Sequence, residues 1–380
     1  MTQENGNGFE ILSHAPTRIS FAGGGTDISP YPETYGGCAL NATISIYMIA
    51  RLRPRKDPKV VISANTRPKP MVYPSVRNLT HDGHLDFVKM IVNKMPSLQS
   101  GFELYIYSSL PMQSGLGGSA SMCVAVLNAF KHLTKAEEFD GKALAELAYE
   151  IETKELGNPS GRQDQYAAAY GGINLFEFNG GSDVRVTPVD ITSAACRMLN
   201  HALVLFRVGQ RRPSGGIVED HVAGIQAGGA QLEALHTTKR RVPEMLQAIQ
   251  AVDIRRIGKL LDELWQEKKR FSRFITNEYI DMLYSRLQEA GMLGGKITGA
   301  GGGGHLLACC DMERRDQVIA AGEQLGLRAI PFTFVHESVL SWESQIRTVE
   351  DSAYGAYAPD SEAAGEVAEV EASAAVTKTP

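Results

Sequence analysis

The chain has 380 residues, 43% hydrophobic and 21% charged, which allows two domains and a sizeable core. No stretch approaches eighteen consecutive apolar residues, and the N-terminus, MTQENGNGFE, lacks the basic and apolar regions of a secretory signal. A net charge of -5 argues against a basic nucleic-acid binder, so a cytoplasmic protein with no membrane and no nucleic-acid partner is expected.

In chain order, the alternation of Phe102, Leu104 and Ile106 with Glu103, Tyr105 and Tyr107 predicts a strand. A helix is expected over 120–133, and a second over 140–156 with Asp140 as its cap. The apolar run 203–208 has strand character. From 228 to 291 the pattern is helical, with Ile254, Ile257, Leu260, Leu261 and Leu264 at three- and four-residue spacing. Glycine then interrupts helix over 294–304 before a return to strand in His305-Leu-Leu-Ala-Cys-Cys, and a last helix and strand end near Val335. This irregular mixture predicts an α+β fold. The five cysteines, Cys38, Cys123, Cys196, Cys309 and Cys310, contain no CxxC, which argues against a disulfide framework or a structural zinc site. From 350 to 380 there are seven acidic residues and one lysine, so the tail carries the net charge and the remainder is close to neutral. Its composition predicts a disordered extension.

Glycine makes up 38 of the 380 residues, against about 7% in average usage, and 13 of these fall in three clusters. They are Gly23, Gly24 and Gly25; Gly115, Gly117 and Gly118; and seven between Gly294 and Gly304. Tight turns account for single glycines, but runs of three and four call for close backbone approach. The middle cluster, PMQSGLGGSA at 111–120, follows a strand and opens a helix. Such a loop gathers unpaired N–H groups and the positive end of the helix dipole, which is a phosphate site. It is not a Walker A loop, because no lysine follows the glycines, and GLGGSA lacks the third glycine of a dinucleotide fingerprint. A dehydrogenase would require these loops to bind a dinucleotide all the same.

Three segments resemble the motifs of the GHMP kinases, in the family's order: APTRISFAGGGTD at 15–27, PMQSGLGGSA at 111–120 and KITGAGGGG at 296–304. The family's usual GLGSSA is GLGGSA here. The resemblance implies a two-lobed GHMP kinase fold. Residues 10–200 would form a ribosomal-protein-like βαβ domain and residues 201–348 a ferredoxin-like domain, ahead of the tail at 350–380. ATP and Mg²⁺ are the implied cofactors, and a homodimer is compatible with the family.

Carried over residue by residue, the resemblance implies an ATP phosphate cradle of Ser114, Gly115, Leu116, Gly117, Gly118, Ser119 and Ala120. Ser119 and Glu152 would hold the metal, since a hard divalent ion prefers oxygen ligands. Asp164, in GRQDQYAAAYGG at 161–172, would be the catalytic base. Arg18 would pair with it and stabilise developing charge. The galactokinase-like GEHTD reads GGGTD here, which removes a charge and opens space for a longer or phosphorylated sugar. Gly23, Gly24, Gly25, Thr26, Asp27, Gly171 and Gly172 are therefore read as substrate-facing, with Arg211 and Arg212 as a second anion site. The GGGTD form resembles bacterial D-glycero-D-manno-heptose 7-phosphate kinases, which phosphorylate the anomeric position on the way to nucleotide-activated heptose. Another sugar-1-kinase, for fucose or an unphosphorylated hexose or heptose, and a catalytically dead sugar-sensing module are the alternatives.

Overall fold

A computed structural model describes residues 8–345 except 96, 97, 99, 111–113 and 210–214. The acidic tail, Arg211 and Arg212 lie outside the described residues. Contacts group Glu10–Glu343 into one body, described here.

The strands are β1 (Phe9–Ala22), β2 (Gly37–Pro54), β3 (Val60–Ala64), β4 (Met71–Tyr73), β5 (Phe102–Ser108), β6 (Ile173–Phe178), β7 (Val184–Pro188), β8 (Leu203–Gly209), β9 (Met292–Ile297), β10 (Gly304–Cys310), β11 (Arg328–Ile330) and β12 (Leu340–Gln345). The helices are α1 (Tyr31–Tyr35), α2 (Asp86–Asn93), α3 (Gly118–Thr134), α4 (Gly141–Glu150), α5 (Gln163–Tyr170), α6 (Ser193–Ala202), α7 (Gly215–Ala227), α8 (Ala230–Arg240), α9 (Val242–Gln250), α10 (Ile254–Lys269), α11 (Glu278–Ala290) and α12 (Arg315–Gln324). The mixture is the expected α+β class. An eight-stranded sheet runs in the order β12-β1-β2-β5-β3-β4, with β6 beside β2 and β7 beside β6. A second sheet runs β11-β8-β10-β9.

Most local expectations hold, and their exceptions are instructive. Asp140 accepts the Ala143 N–H at 2.8 Å, so it caps α4 as a short acidic side chain should. The helix predicted to reach residue 156 instead ends at Glu150 and continues as one turn of π-helix, Ile151–Glu155. Such a turn re-aims side chains, and it carries Glu152. The second sheet is buried on both faces. Leu203, Leu205, Leu307 and Cys309 join one core with the apolar face of α10, while Val204, Phe206, Leu306, Ala308 and Cys310 join another with α11. Near-continuous apolar runs in β8 and β10 are the signature of that double burial. All five cysteines are free thiols. Burial pushes the Cys310 thiol up to about 12, so it behaves as a small core hydrophobe. No helix among the described residues is long and apolar enough to cross a membrane.

Candidate active site

The three glycine motifs meet. Arg18, on β1 and buried, donates its backbone N–H to the Leu116 carbonyl at 3.0 Å. Its guanidinium Nη1 donates to the Gly115 carbonyl at 3.0 Å. The third motif closes from the other side. His305 Nδ1 lies 2.7 Å from the Ser114 carbonyl, and because a carbonyl only accepts, the proton sits on Nδ1. Burial lowers the pKa of His305, which keeps it a neutral donor. Lys268 donates to the carbonyls of Ile297 and Gly299 at 2.7 and 2.6 Å. Gly115 and Gly299 pack backbone to backbone, so a β-carbon on Gly299 would lie 2.6 Å from the Gly115 Cα.

The middle loop ends at Gly117, whose φ of +77° is a left-handed conformation that favours glycine. From there α3 starts with no side-chain cap, and Ser119 is exposed in its first turn while Leu116 and Ala120 are buried. The leading N–H groups of a seventeen-residue helix are thus left for an external acceptor, as a nucleotide phosphate would require.

Asp164 sits in the first turn of α5 and faces this loop. Its Oδ1 takes Arg18 Nε at 2.8 Å and Nη2 at 2.6 Å. The other oxygen, Oδ2, points toward Gly117, where an added β-carbon would lie 3.3 Å away. One carboxylate oxygen is therefore fixed by Arg18, and the other is presented to the phosphate loop.

Two further carboxyls feel Asp164. Burial, and then the charge of Asp164, pushes Glu152 up to about 7. Gln165 Nε2 donates to its Oε2 at 2.5 Å. Asp27 is also raised, first by complete burial and then by Asp164. Its oxygens accept the N–H of Gly25 at 3.1 Å, the N–H of Gln163 at 3.1 Å and Gln163 Nε2 at 3.0 Å. A β-carbon on Gly161 would lie 1.9 Å from Asp27 Oδ2, so only glycine admits the first motif this close to the helix bearing Asp164. Asp164 is paired with Arg18, whereas Asp27 and Glu152 are held by main-chain and amide N–H donors. No cluster of three or more metal-ligating side chains occurs among the described residues. Ser119 and Glu152, the expected pair, offer a hydroxyl and one carboxylate, which are donor types that Mg²⁺ uses together with nucleotide phosphates.

The other expected residues fall in two groups. Thr26 donates to the carbonyls of Gly23 at 2.8 Å and Cys38 at 2.9 Å, which locks the Gly23–Gly24–Gly25 turn onto β2. His221 of α7, held neutral by burial with its pKa lowered to about 4, hydrogen-bonds the Gly25 carbonyl at 3.1 Å. Gly172 exchanges hydrogen bonds with Thr43, its N–H reaching Thr43 Oγ1 at 2.7 Å and its carbonyl accepting the Thr43 N–H at 3.0 Å. Gly171 packs against the Glu337 carbonyl.

The third motif holds one further buried residue at its start. Lys296 is buried, and its Nζ donates to the Phe21 carbonyl at 3.2 Å. Burial, followed by repulsion from Arg18, lowers its pKa to about 7. Its place directly before ITGAGGGG was the only available signal. A separate cleft of about 490 Å³, lined by Cys38, Leu175, His236 and Lys239 among others, contains no residue of the three motifs.

Comparison with known proteins bears on the family and the fold. The model of the GHMP kinases N terminal domain matches residues 85–172, and that of the GHMP kinases C terminal domain matches 245–326. The chain is 34% identical over 338 residues to the D-glycero-alpha-D-manno-heptose 7-phosphate kinase of Campylobacter jejuni, covering 87% of this chain and 98% of that one. A D-glycero-D-manno-heptose 1-phosphate kinase from Bacteroides thetaiotaomicron superposes with a TM-score of 0.74 at 29% identity, over 87% and 98% of the two chains. Lactococcus lactis galactokinase, at 20% identity and a TM-score of 0.69 over 87% and 95% of the chains, shares the fold.

Proposed function

The chain belongs to the GHMP kinases and is an ATP-dependent sugar kinase, and on that footing we propose that it transfers the γ-phosphoryl group of ATP to the anomeric hydroxyl of D-glycero-D-manno-heptose 7-phosphate. The product would be the 1,7-bisphosphate, on the way to nucleotide-activated heptose for surface polysaccharide. The observation that carries the reading is the Arg18–Asp164 pair, with Arg18 also holding the Gly115 carbonyl of the phosphate loop. One guanidinium thereby fixes both the base and the cradle, so acceptor and phosphate are placed against each other.

The cradle is Ser114 to Ala120, with the uncapped N-terminus of α3 binding the phosphates through main-chain N–H groups. Asp164 Oδ2, the oxygen not held by Arg18, accepts the proton of the acceptor hydroxyl as the hydroxyl oxygen attacks the γ-phosphorus and the bond from that phosphorus to the β,γ-bridging oxygen breaks, releasing ADP. An anomeric hydroxyl is more acidic than an ordinary alcohol, so a carboxylate is a sufficient base. Arg18 stabilises the charge that develops between donor and acceptor. Ser119 and Glu152 would hold Mg²⁺, which when bound neutralises the phosphate oxygens. The Gly23–Gly24–Gly25 turn, Asp27 and the Gly171–Gly172 pair border the acceptor. Arg211 and Arg212, on their charge and place in the sequence alone, are proposed to bind the sugar's own phosphate.

The names of the two heptose kinases place the acceptor's existing phosphate at opposite ends of the sugar, at C7 in one and C1 in the other. Turnover of heptose 7-phosphate, heptose 1-phosphate and unphosphorylated heptose separates these cases. A clear preference for the 7-phosphate is expected, and equal efficiency with the unphosphorylated sugar would sink the second anion site.

A further inference from the structure

Beside the Arg18–Asp164 pair lies a group of buried polar atoms that have no hydrogen-bond partner among the described residues. Asn41, on β2, is fully buried, and neither its Oδ1 nor its Nδ2 has a hydrogen-bond partner among the described residues. With both atoms unpaired, exchanging the amide's two ends changes nothing. Asn41 stands directly opposite Ser20 of β1 in the antiparallel register, so their side chains share one face of the sheet. Ser20 Oγ is likewise buried and unpartnered. Gln163 approaches from α5. Its N–H and Nε2 are spent on Asp27, while its Oε1 is buried and unpaired.

These are four of twelve such atoms among the described residues, and they gather at one place. A β-carbon built on Gly24 would lie 3.6 Å from both Ser20 Oγ and Gln163 Nε2, so the two side chains come to Gly24 together and no side chain stands between them. Their position relative to the chemistry follows from the chain. Ser20 is two residues after Arg18 in an unbroken stretch of register, hence on the same face, and Gln163 immediately precedes Asp164. The cluster therefore flanks the reacting pair along both elements that supply it.

Buried side-chain polar groups are nearly always paired, because an unpaired one loses its water without compensation. A core that needed only packing would place apolar residues here. The atom types also indicate what would pair with them. Asn41 offers both a donor and an acceptor, Ser20 either, and Gln163 an acceptor alone. A phosphate or carboxylate brings no hydrogen to Gln163 Oε1 or Asn41 Oδ1, whereas a sugar hydroxyl both donates and accepts.

Resting on the sugar-kinase reading above, we propose that Ser20, Asn41 and Gln163 form the hydroxyl-reading part of the acceptor site, binding ring hydroxyls next to the one phosphorylated. They set which sugar is accepted, and the phosphate of the acceptor is bound elsewhere. The glycine at position 24 keeps a β-carbon off Ser20 and Gln163.

The test uses the full chain with Asn41→Val and Ser20→Ala. Melting temperature is measured without ligand, and KM is measured for heptose 7-phosphate and for ATP. Asn41→Val is expected to melt no lower than wild type, to raise the sugar KM at least about tenfold, and to leave the ATP KM within about twofold. Ser20→Ala should move the sugar KM in the same direction by less. If Asn41→Val does not fold, Ser20→Ala carries the KM comparison alone. A sugar KM unchanged in every folded variant, or sugar and ATP KM rising together, overturns the proposal. If wild type phosphorylates none of heptose 7-phosphate, fucose and galactose, the sugar-kinase reading fails. The melting temperature of Asn41→Val still judges the buried cluster in that case, since a marked fall means these groups are satisfied within the protein.

Discussion

The two halves of the site are built from different materials. The proposed phosphate side is main chain: the Gly115 and Gly117 turn, the uncapped start of α3, and carbonyls held by Arg18, His305 and Lys268. The proposed acceptor side is side chain: Asp164, Asp27, Gln163, Ser20 and Asn41, drawn from two strands, a loop and a helix. A backbone site binds any phosphate of the right shape and carries little information about the sugar. A side-chain site can change its specificity one residue at a time without disturbing the cradle. The family's shared nucleotide chemistry and its varied acceptors are what such a division allows.

That contrast can be broken at several points, beginning where the effect is largest. Asp164→Asn keeps the shape and removes the proton acceptor, so kcat should fall on the order of a thousandfold while ATP binding is retained. Near-normal turnover would take Asp164 out of that role. Gly117→Ala strikes the boundary between the halves. Its β-carbon would enter beside Asp164 Oδ2, in a conformation that costs about 1–2 kcal/mol for a residue other than glycine. We expect kcat/KM to fall on the order of a hundredfold. Gly157→Ala is the control, because its φ of +66° imposes a similar strain with open space around it. It should lose stability and keep its activity, and equal damage from the two would show that strain alone accounts for Gly117.

Glu152→Gln tests the charge balance of the acceptor side. Burial and Asp164 hold the Glu152 carboxyl near 7, against an ordinary value of 4.5. Between those values the fold retains a proton that the unfolded chain has released, so stability falls as pH rises through the window. The glutamine variant has no such slope. It should gain on the order of 1–2 kcal/mol over wild type at pH 8 in urea unfolding, and nothing near pH 4.5. Its requirement for Mg²⁺ should also increase, by roughly tenfold. Parallel pH profiles for the two proteins would contradict the assignment.

The same division explains what could be read in advance. The phosphate side was legible because glycine is the residue whose identity a backbone conformation dictates, and three glycine clusters in order left few alternatives. Arg18 and Asp164 were legible through the segments around them, and the fold brings them to 2.6 Å. The double burial of β10 was visible in its unbroken apolar run. Asn41 and Ser20 were not visible. Each is an ordinary polar residue within a strand, and their meaning comes from a register linking positions 21 residues apart. The π-helical turn at Ile151–Glu155 was hidden for a similar reason, since its residues are ordinary helix formers and tertiary packing sets the local winding.

The most direct test of the account is the position of the new phosphate. Purified full-length protein is incubated with ATP, Mg²⁺ and D-glycero-D-manno-heptose 7-phosphate, and the product is assigned by phosphorus–proton correlation NMR. A second phosphorus signal coupled to the anomeric proton, with the 7-phosphate intact, is the predicted result. A phosphate on any other carbon, or no transfer to this sugar while another acceptor is phosphorylated, would contradict it.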